Sequence, residues 1–179
     1  ISLTIEKGST VGLVGKSGSG KSTFINLICG LLTPSKGLIK IDEKDISQNI
    51  ANWQKKIGLV PQVNYLLDDT ILNNIVFLEE TKNINKEKLE NAMFYSGVSE
   101  FIDRLDKGLN TTVGERGSSL SGGQIQRIAL ARVLYQDPDV LILDEFTNSL
   151  DPENEDFILK QLHLLKNEKN KNFFIITHK

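Results

Sequence analysis

Four short apolar runs punctuate the chain. They are Thr10–Gly15 (TVGLVG), Ile57–Pro61 (IGLVP), Val140–Leu143 (VLIL) and Asn172–Thr177 (NFFIIT). Runs of this length, rich in β-branched residues, predict buried strands, and VLIL reads as covered on both faces. Two other stretches alternate instead. Ile1, Leu3 and Ile5 are separated by polar residues, and so are the apolar positions of Gly37–Asp42 (GLIKID). Both predict half-buried outer strands.

Between these runs the period changes to that of helices. Thr23–Leu32 is helical in pattern and is closed by Pro34 and Gly37. Trp53 falls on a short helix. From Val63 to Asp137 strand signals fade and helices dominate. Asn85 is placed to cap a helix with Leu89, Ala92 and Met93 on one face and Gly97 as its stop. Ser99 is placed to cap another, with Phe101, Ile102 and Leu105. Ser121 caps a third that runs to Tyr135, before Pro138. Asp151-Pro152 is an N-cap followed by proline at the first helical position. Ile158, Leu162 and Leu165 then form an inward stripe.

Buried strands alternating with helices imply a parallel α/β sheet. The expected division is a core of residues 1–62 and 138–179, interrupted by a helical subdomain of residues 63–137.

Composition narrows the class. With 179 residues and 39% hydrophobic content the chain can bury a real core. A net charge of −2 gives no electrostatic footprint for nucleic acid, so no nucleic-acid partner is expected. No apolar run approaches the roughly 18 residues of a membrane span, and no signal peptide is evident. The single cysteine, Cys29, lies in FINLICGLL and reads as buried packing, which fits a reducing compartment. The chain opens on Ile1 and stops just after His178, as a piece of a longer protein would.

The chemistry begins at Gly15–Ser22 (GKSGSGKS), which matches G-x-x-x-x-G-K-[ST] between a predicted strand and a predicted helix. The glycines let successive amides curl toward phosphate oxygens, and the helix N-terminus adds a favourable dipole. Nucleotide contacts are expected from Gly15, Lys16, Ser17, Gly18, Ser19, Gly20, Lys21, Ser22 and Thr23. Lys21 brings a charge to the β- and γ-phosphates, and the Ser22 hydroxyl can ligate Mg²⁺.

Asp144 follows VLIL, at the carboxyl end of a buried strand, where ligands bind in open α/β sheets. It can hold Mg²⁺ through the ion's water shell. Glu145, beside it, is a candidate general base for the attacking water. Gln62 ends IGLVP and is a third candidate Mg²⁺ ligand. His178 ends the last strand and is placed to hydrogen-bond a γ-phosphate. His163 lies in a helix and reads as partly packed or solvated.

A second glycine-rich helix start follows at Ser121, Gly122 and Gly123. It is another potential anion site. One economical use is head-to-tail pairing of two copies, each second loop covering the partner's nucleotide.

LSGGQ at Leu120–Gln124 resembles the signature of the ATP-binding cassette (ABC) family. Gly15–Ser22 then matches that family's Walker A loop and Val140–Glu145 its Walker B strand. Gln62 matches its Q-loop glutamine, Ser149–Asp151 (SLD) its D-loop, and His178 its switch histidine. The resemblance spans essentially the whole chain.

It implies a P-loop NTPase (RecA-like) fold with antiparallel edge strands, binding ATP and Mg²⁺. It gives catalytic roles to Glu145, His178 and Lys21. It gives contacts in trans to Ser121, Gly122, Gly123 and Gln124, and cross-interface communication to Asp151. TVGERG at Thr112–Gly117 resembles the X-loop of ABC exporters, and DDTILNNIVF at Asp68–Phe77 their region facing membrane coupling helices. The implied partners are a second nucleotide-binding domain and a transmembrane domain, at the cytoplasmic face of the plasma membrane. Two departures stand out. The adenine-stacking aromatic that such domains carry upstream of the first strand is missing, and Phe146 replaces a small residue or proline. Alternatives are an ABC ATPase of DNA repair or translation, and a non-hydrolysing regulatory module.

Overall fold

The computed structural model describes residues 1–77, 79–147 and 150–177. Four strands form one parallel sheet in the order β1 (Thr10–Val14), β6 (Asn172–Thr177), β5 (Val140–Asp144), β4 (Ile57–Val60). All four point the same way, so their carboxyl ends share one edge. The two central strands are the apolar runs VLIL and NFFIIT, as buried parallel strands require.

Period-two geometry splits the side chains of these strands between two cores. Leu141, Leu143 and Phe173 face one side, where they pack with Val60, Ile128, Leu130, Leu134, Ile158, Leu162 and Leu165. Ile142, Phe174 and Ile176 face the other, against Ile25 and Cys29. Helix α1 (Lys21–Ile28) therefore covers one face of the sheet. The opposite face carries α3 (Ile71–Val76), α4 (Lys86–Ser96), α5 (Ser99–Ile102), α6 (Gly122–Tyr135) and α7 (Pro152–Lys169).

Short-range chemistry fixes the ends of these elements. Asn85 accepts from the Lys88 amide at 3.0 Å, and Gly97 closes α4 in the left-handed region at φ 71°. Asp151 accepts from the Asn154 amide at 3.0 Å and Pro152 begins α7. Helix α1 is anchored at its far end. There Trp53, on α2 (Ile50–Gln54), donates its indole N–H to Ile28 O at 2.7 Å, and Gln54 donates to Cys29 O at 3.2 Å. Two carbonyls that the helix end leaves open are thereby satisfied.

Several expectations need correction. Residues 1–5 form no strand, because no neighbouring strand offers them a ladder, and Ile1 and Leu3 are exposed. Strand β1 is not buried. It pairs only with β6, and Val14 is 66% exposed. The GLIKID stretch contributes only β2 (Lys40–Ile41), paired antiparallel with β3 (Lys44–Asp45) as a separate two-stranded ribbon. Asp42 and Glu43 close that ribbon with positive φ at both positions, the geometry tight hairpins need. Helix α1 starts earlier and ends sooner than its pattern predicts, since Gly30 turns the chain at φ 67°. Ser99 is no cap. The chain is already helical at Val98, so Ser99 becomes the first residue of α5.

Candidate active site

The Gly15–Ser22 loop joins the carboxyl end of β1 to the start of α1. Gly18 and Gly20 adopt φ of 78° and 94°, which side chains with a Cβ rarely tolerate. A Cβ built on either would meet nothing within 4 Å, so the loop is held by backbone conformation and keeps an open face. Gly15 differs. Its Cβ would fall 2.7 Å from Ser19 Oγ, so a side chain there would turn the Ser19 hydroxyl away. The Ser19 amide donates to Lys16 O at 3.1 Å. Lys21 Nζ donates to Gly15 O at 2.5 Å and to Lys16 O at 3.2 Å, which lays the ammonium against the loop's own carbonyls. Gly20 gives α1 no side-chain cap, so its first amides are suited to an external anion. Lys16, Ser17, Gly18, Ser19, Gly20, Ser22 and Thr23 are exposed.

The other core residues gather at the same edge of the sheet. Val14 is level with Thr177, and Asp144 with Ile176. By the period of two, Asp144 stands on the face of Ile142, the face that α1 covers. Gln62 Nε2 donates to Glu145 Oε2 at 2.7 Å. Glu145 has φ 48°, an unusual conformation for a residue with a Cβ, and its amide donates to Ile176 O at 3.1 Å. The turn takes its backbone off the strand and its carboxylate toward Gln62. Phe146 is only 2% exposed and belongs to the large core. An aromatic is accepted here because its ring packs inward, into that core. His178 and Ser149 lie outside the described residues.

The second glycine-rich start is a closed local structure. The Gln124 amide donates to Ser121 Oγ at 3.2 Å, and the Ser121 amide donates to Gln124 Oε1 at 2.8 Å. This is a capping box. It occupies the Gln124 side chain within its own helix start. Ser121 and Gly122 are exposed, and a Cβ on Gly123 would lie 3.4 Å from Leu150 Cδ2. The start of α6 thus abuts the segment that leads from Glu145 to Asp151. Helix α6 packs on α3, α4 and β4, the sheet face opposite α1.

Asp151 is tied to Asn154 through both its amide and its side chain. Those bonds, with a smaller pull from the Arg127 guanidinium, hold its carboxyl below the usual carboxylate range. Arg127 is buried, donates to Gly97 O at 3.2 Å and lies 5.8 Å from the Phe157 ring centre.

The donor set suits Mg²⁺ held jointly with phosphates. Among the described residues no three His, Cys, Asp or Glu side chains cluster as a metal cage. The ion instead favours one or two protein oxygens, with phosphate and water completing an octahedron. Ser22, Gln62 and Asp144 are oxygen donors of that kind.

A family model described as "ABC transporter" matches residues 1–148. The chain belongs to the ABC transporter family. It is 43% identical, over its whole length, to an ATP-dependent lipid A-core flippase of Sodalis glossinidius, of which it covers 30%. It is 41% identical, again over its whole length, to the toxin RTX-I translocation ATP-binding protein of Actinobacillus pleuropneumoniae, of which it covers 25%. In fold it is similar to a bacterial Atm1-family ABC exporter solved with ATP bound, with a TM-score of 0.87 and 36% identity. That match takes in 97% of this chain and 30% of the exporter chain. The chain therefore spans about a quarter to a third of the length of these three proteins. No described helix is long and apolar enough to cross a membrane.

One pair of residues escaped the sequence reading. Asn74 on α3 is fully buried, and Arg132 on α6 is hydrogen-bonded to it. The available signal was the polar residues inside two apolar helical stretches, Asn73 and Asn74 in ILNNIV and Arg132 in IALARVL.

Proposed function

We propose that this chain is the ATP-binding and ATP-hydrolysing domain of an ABC exporter, and that two copies close head-to-tail around two Mg-ATP. One observation carries the pairing. The two glycine-rich helix starts belong to helices on opposite faces of one sheet. A second copy, turned by a two-fold axis, supplies its Ser121–Gln124 start to the nucleotide on the first copy's Gly15–Thr23 loop. The matched exporters and the ATP-bound structure support this reading.

In this account residues 1–62 and 138–179 form the ATP-binding core, and 63–137 the helical subdomain. Lys21 turns from its loop carbonyls to the β- and γ-phosphates. The amides at the start of α1 hold the phosphate oxygens. Ser22, Gln62 and Asp144 would hold Mg²⁺, which when bound neutralises phosphate charge. Glu145 takes a proton from the attacking water. Gln62, already bonded to Glu145, fixes its orientation and relays nucleotide occupancy into the helical subdomain. His178 steadies the γ-phosphate, and Asp151 communicates across the interface. ATP bridges the two copies and ADP does not, so binding and hydrolysis shift the closed and open populations. A transmembrane domain, in the same chain or a separate subunit, takes up that movement at the cytoplasmic face of the membrane.

The test is steady-state ATP hydrolysis by the protein and its Glu145→Gln variant. The variant should lose about 10²–10⁴-fold in rate, the usual worth of a positioned base, while ATP binding persists. Unchanged hydrolysis in that variant would remove Glu145 from the mechanism.

A further inference from the structure

Asn74 is 0% exposed and sits among the buried residues Ile71, Ile75 and Val76. A buried amide must find partners or cost stability. Its Oδ1 accepts from the Leu67 amide at 2.8 Å and from Arg132 Nη2 at 2.8 Å. Its Nδ2 donates to Leu67 O and Thr70 O, both at 3.0 Å. Arg132 extends the connection. Its Nε donates to Asn74 O at 2.7 Å, its Nη1 to Tyr65 O at 3.0 Å, and its guanidinium lies 4.9 Å from the centre of the Phe77 ring.

Two features make this more than packing. First, no carboxylate among the described residues pairs with Arg132. Its charge is met by carbonyl and amide oxygens and by the face of Phe77, so what the guanidinium adds over an apolar residue is the fixed direction of its N–H donors. Second, the partners are connected to the site. Tyr65 and Leu67 lie on the stretch that leads away from Gln62, and Arg132 lies on the helix that Ser121 begins. The far side of α3 is tied in as well. The Ile71 amide donates to Thr111 O and the Val113 amide to Asp69 O, each at 3.0 Å. Ser119 Oγ, just ahead of the signature, donates to Val113 O at 2.7 Å.

We infer that Asn74 and Arg132 are positioning residues that lock the Gln62 segment to the signature helix, so that the nucleotide contact and the partner-facing helix start move as one body. The inference rests on the function proposed above. Arginine is required because three N–H vectors of one planar fork reach Asn74 and Tyr65 at once. A lysine keeps the charge and loses the fork.

The test is a kinetic cycle on ATP hydrolysis with the single variants Arg132→Lys and Gln62→Ala and the double variant. Arg132→Lys should lower kcat by about 10- to 100-fold, the scale of a small misplacement, with KM for ATP within about twofold because the Gly15–Thr23 loop is untouched. In the Gln62→Ala background the same change should lower kcat no further, although its effect on Tm remains. Equal falls in kcat in both backgrounds would make Arg132 a structural residue and overturn the inference.

If Arg132→Lys does not fold, amide exchange with Arg132 intact and pairing blocked by Ser121→Arg replaces the cycle. Mg-ATP should then slow exchange in residues 62–67 and in residues 128–134 of the signature helix together, although no partner's nucleotide touches that helix. A response confined to one of them would overturn the inference. A native protein that bound ATP and hydrolysed none would instead count against the proposed function.

Discussion

Gln62 and Glu145 are 83 positions apart in sequence, yet the Gln62 side chain donates to the Glu145 carboxylate at 2.7 Å. The register explains the meeting. Val60 on β4 is level with Leu143 on β5. Two residues further along each parallel strand brings Gln62 level with Glu145, and neighbouring strands run about 4.8 Å apart. The positive φ of Glu145 then takes its side chain out of the strand's alternation and toward the amide. A glutamine suits this place because it donates without adding charge beside a carboxylate.

Changing that donor to an acid tests the contact. In Gln62→Glu the Glu145 carboxylate loses its donor and faces a like charge instead. The kcat for ATP hydrolysis should fall by about 10- to 100-fold, the scale of a misplaced catalytic group, and Gln62→Met, which removes the donor without adding charge, should fall less. Equal rates in the protein and both variants would mean that the two side chains separate before the proton is taken.

Gly58 on β4 marks where α6 meets the sheet. A Cβ there would lie 2.3 Å from Val133 Cγ1 and 2.8 Å from Pro138 Cγ. Gly58→Ala should therefore cost about 1–3 kcal/mol, the usual penalty of overpacking. Urea unfolding would measure it. Adding Val133→Ala should recover part of the loss, because it removes the nearer of the two clashes.

The buried Cys29 thiol is pushed up to about 11 by desolvation. At pH 8 the folded chain then exposes roughly 0.1% thiolate, against a quarter for a free cysteine. A thiol reagent should react at least about 100-fold more slowly before unfolding than after it. The same shift has a stability consequence. Its contribution is complete below the thiol's ordinary pKa and declines as pH climbs from there toward 11. Comparison with Cys29→Ala at pH 8 and pH 10 would show it, since the variant should lack that decline.

Much of this was legible in the sequence where one local signal decided the outcome. The VLIL and NFFIIT runs became the central strands, and Ser121, Asn85 and Asp151 became helix caps. Signals that depend on a neighbour failed. The alternation of residues 1–5 has no partner strand, and TVGLVG and IGLVP, although apolar, became the two outer strands of the sheet. Phe146 was opaque because its burial depends on helices far away in sequence. The Asn74–Arg132 connection was invisible for the same reason, since its halves are 58 positions apart. Glu145 could be picked out by its place after the strand, while the backbone turn that aims it could not.

The central claim is a site shared between two copies, and molecular mass measures it most directly. The Glu145→Gln protein should double in mass by light scattering with Mg-ATP and stay single with Mg-ADP. Adding Ser121→Arg should abolish the doubling while ATP affinity stays within about threefold, a change under 1 kcal/mol. Doubling that survives Ser121→Arg, or ATP binding that is lost with it, would place the second glycine loop outside the partner's nucleotide site and contradict the account.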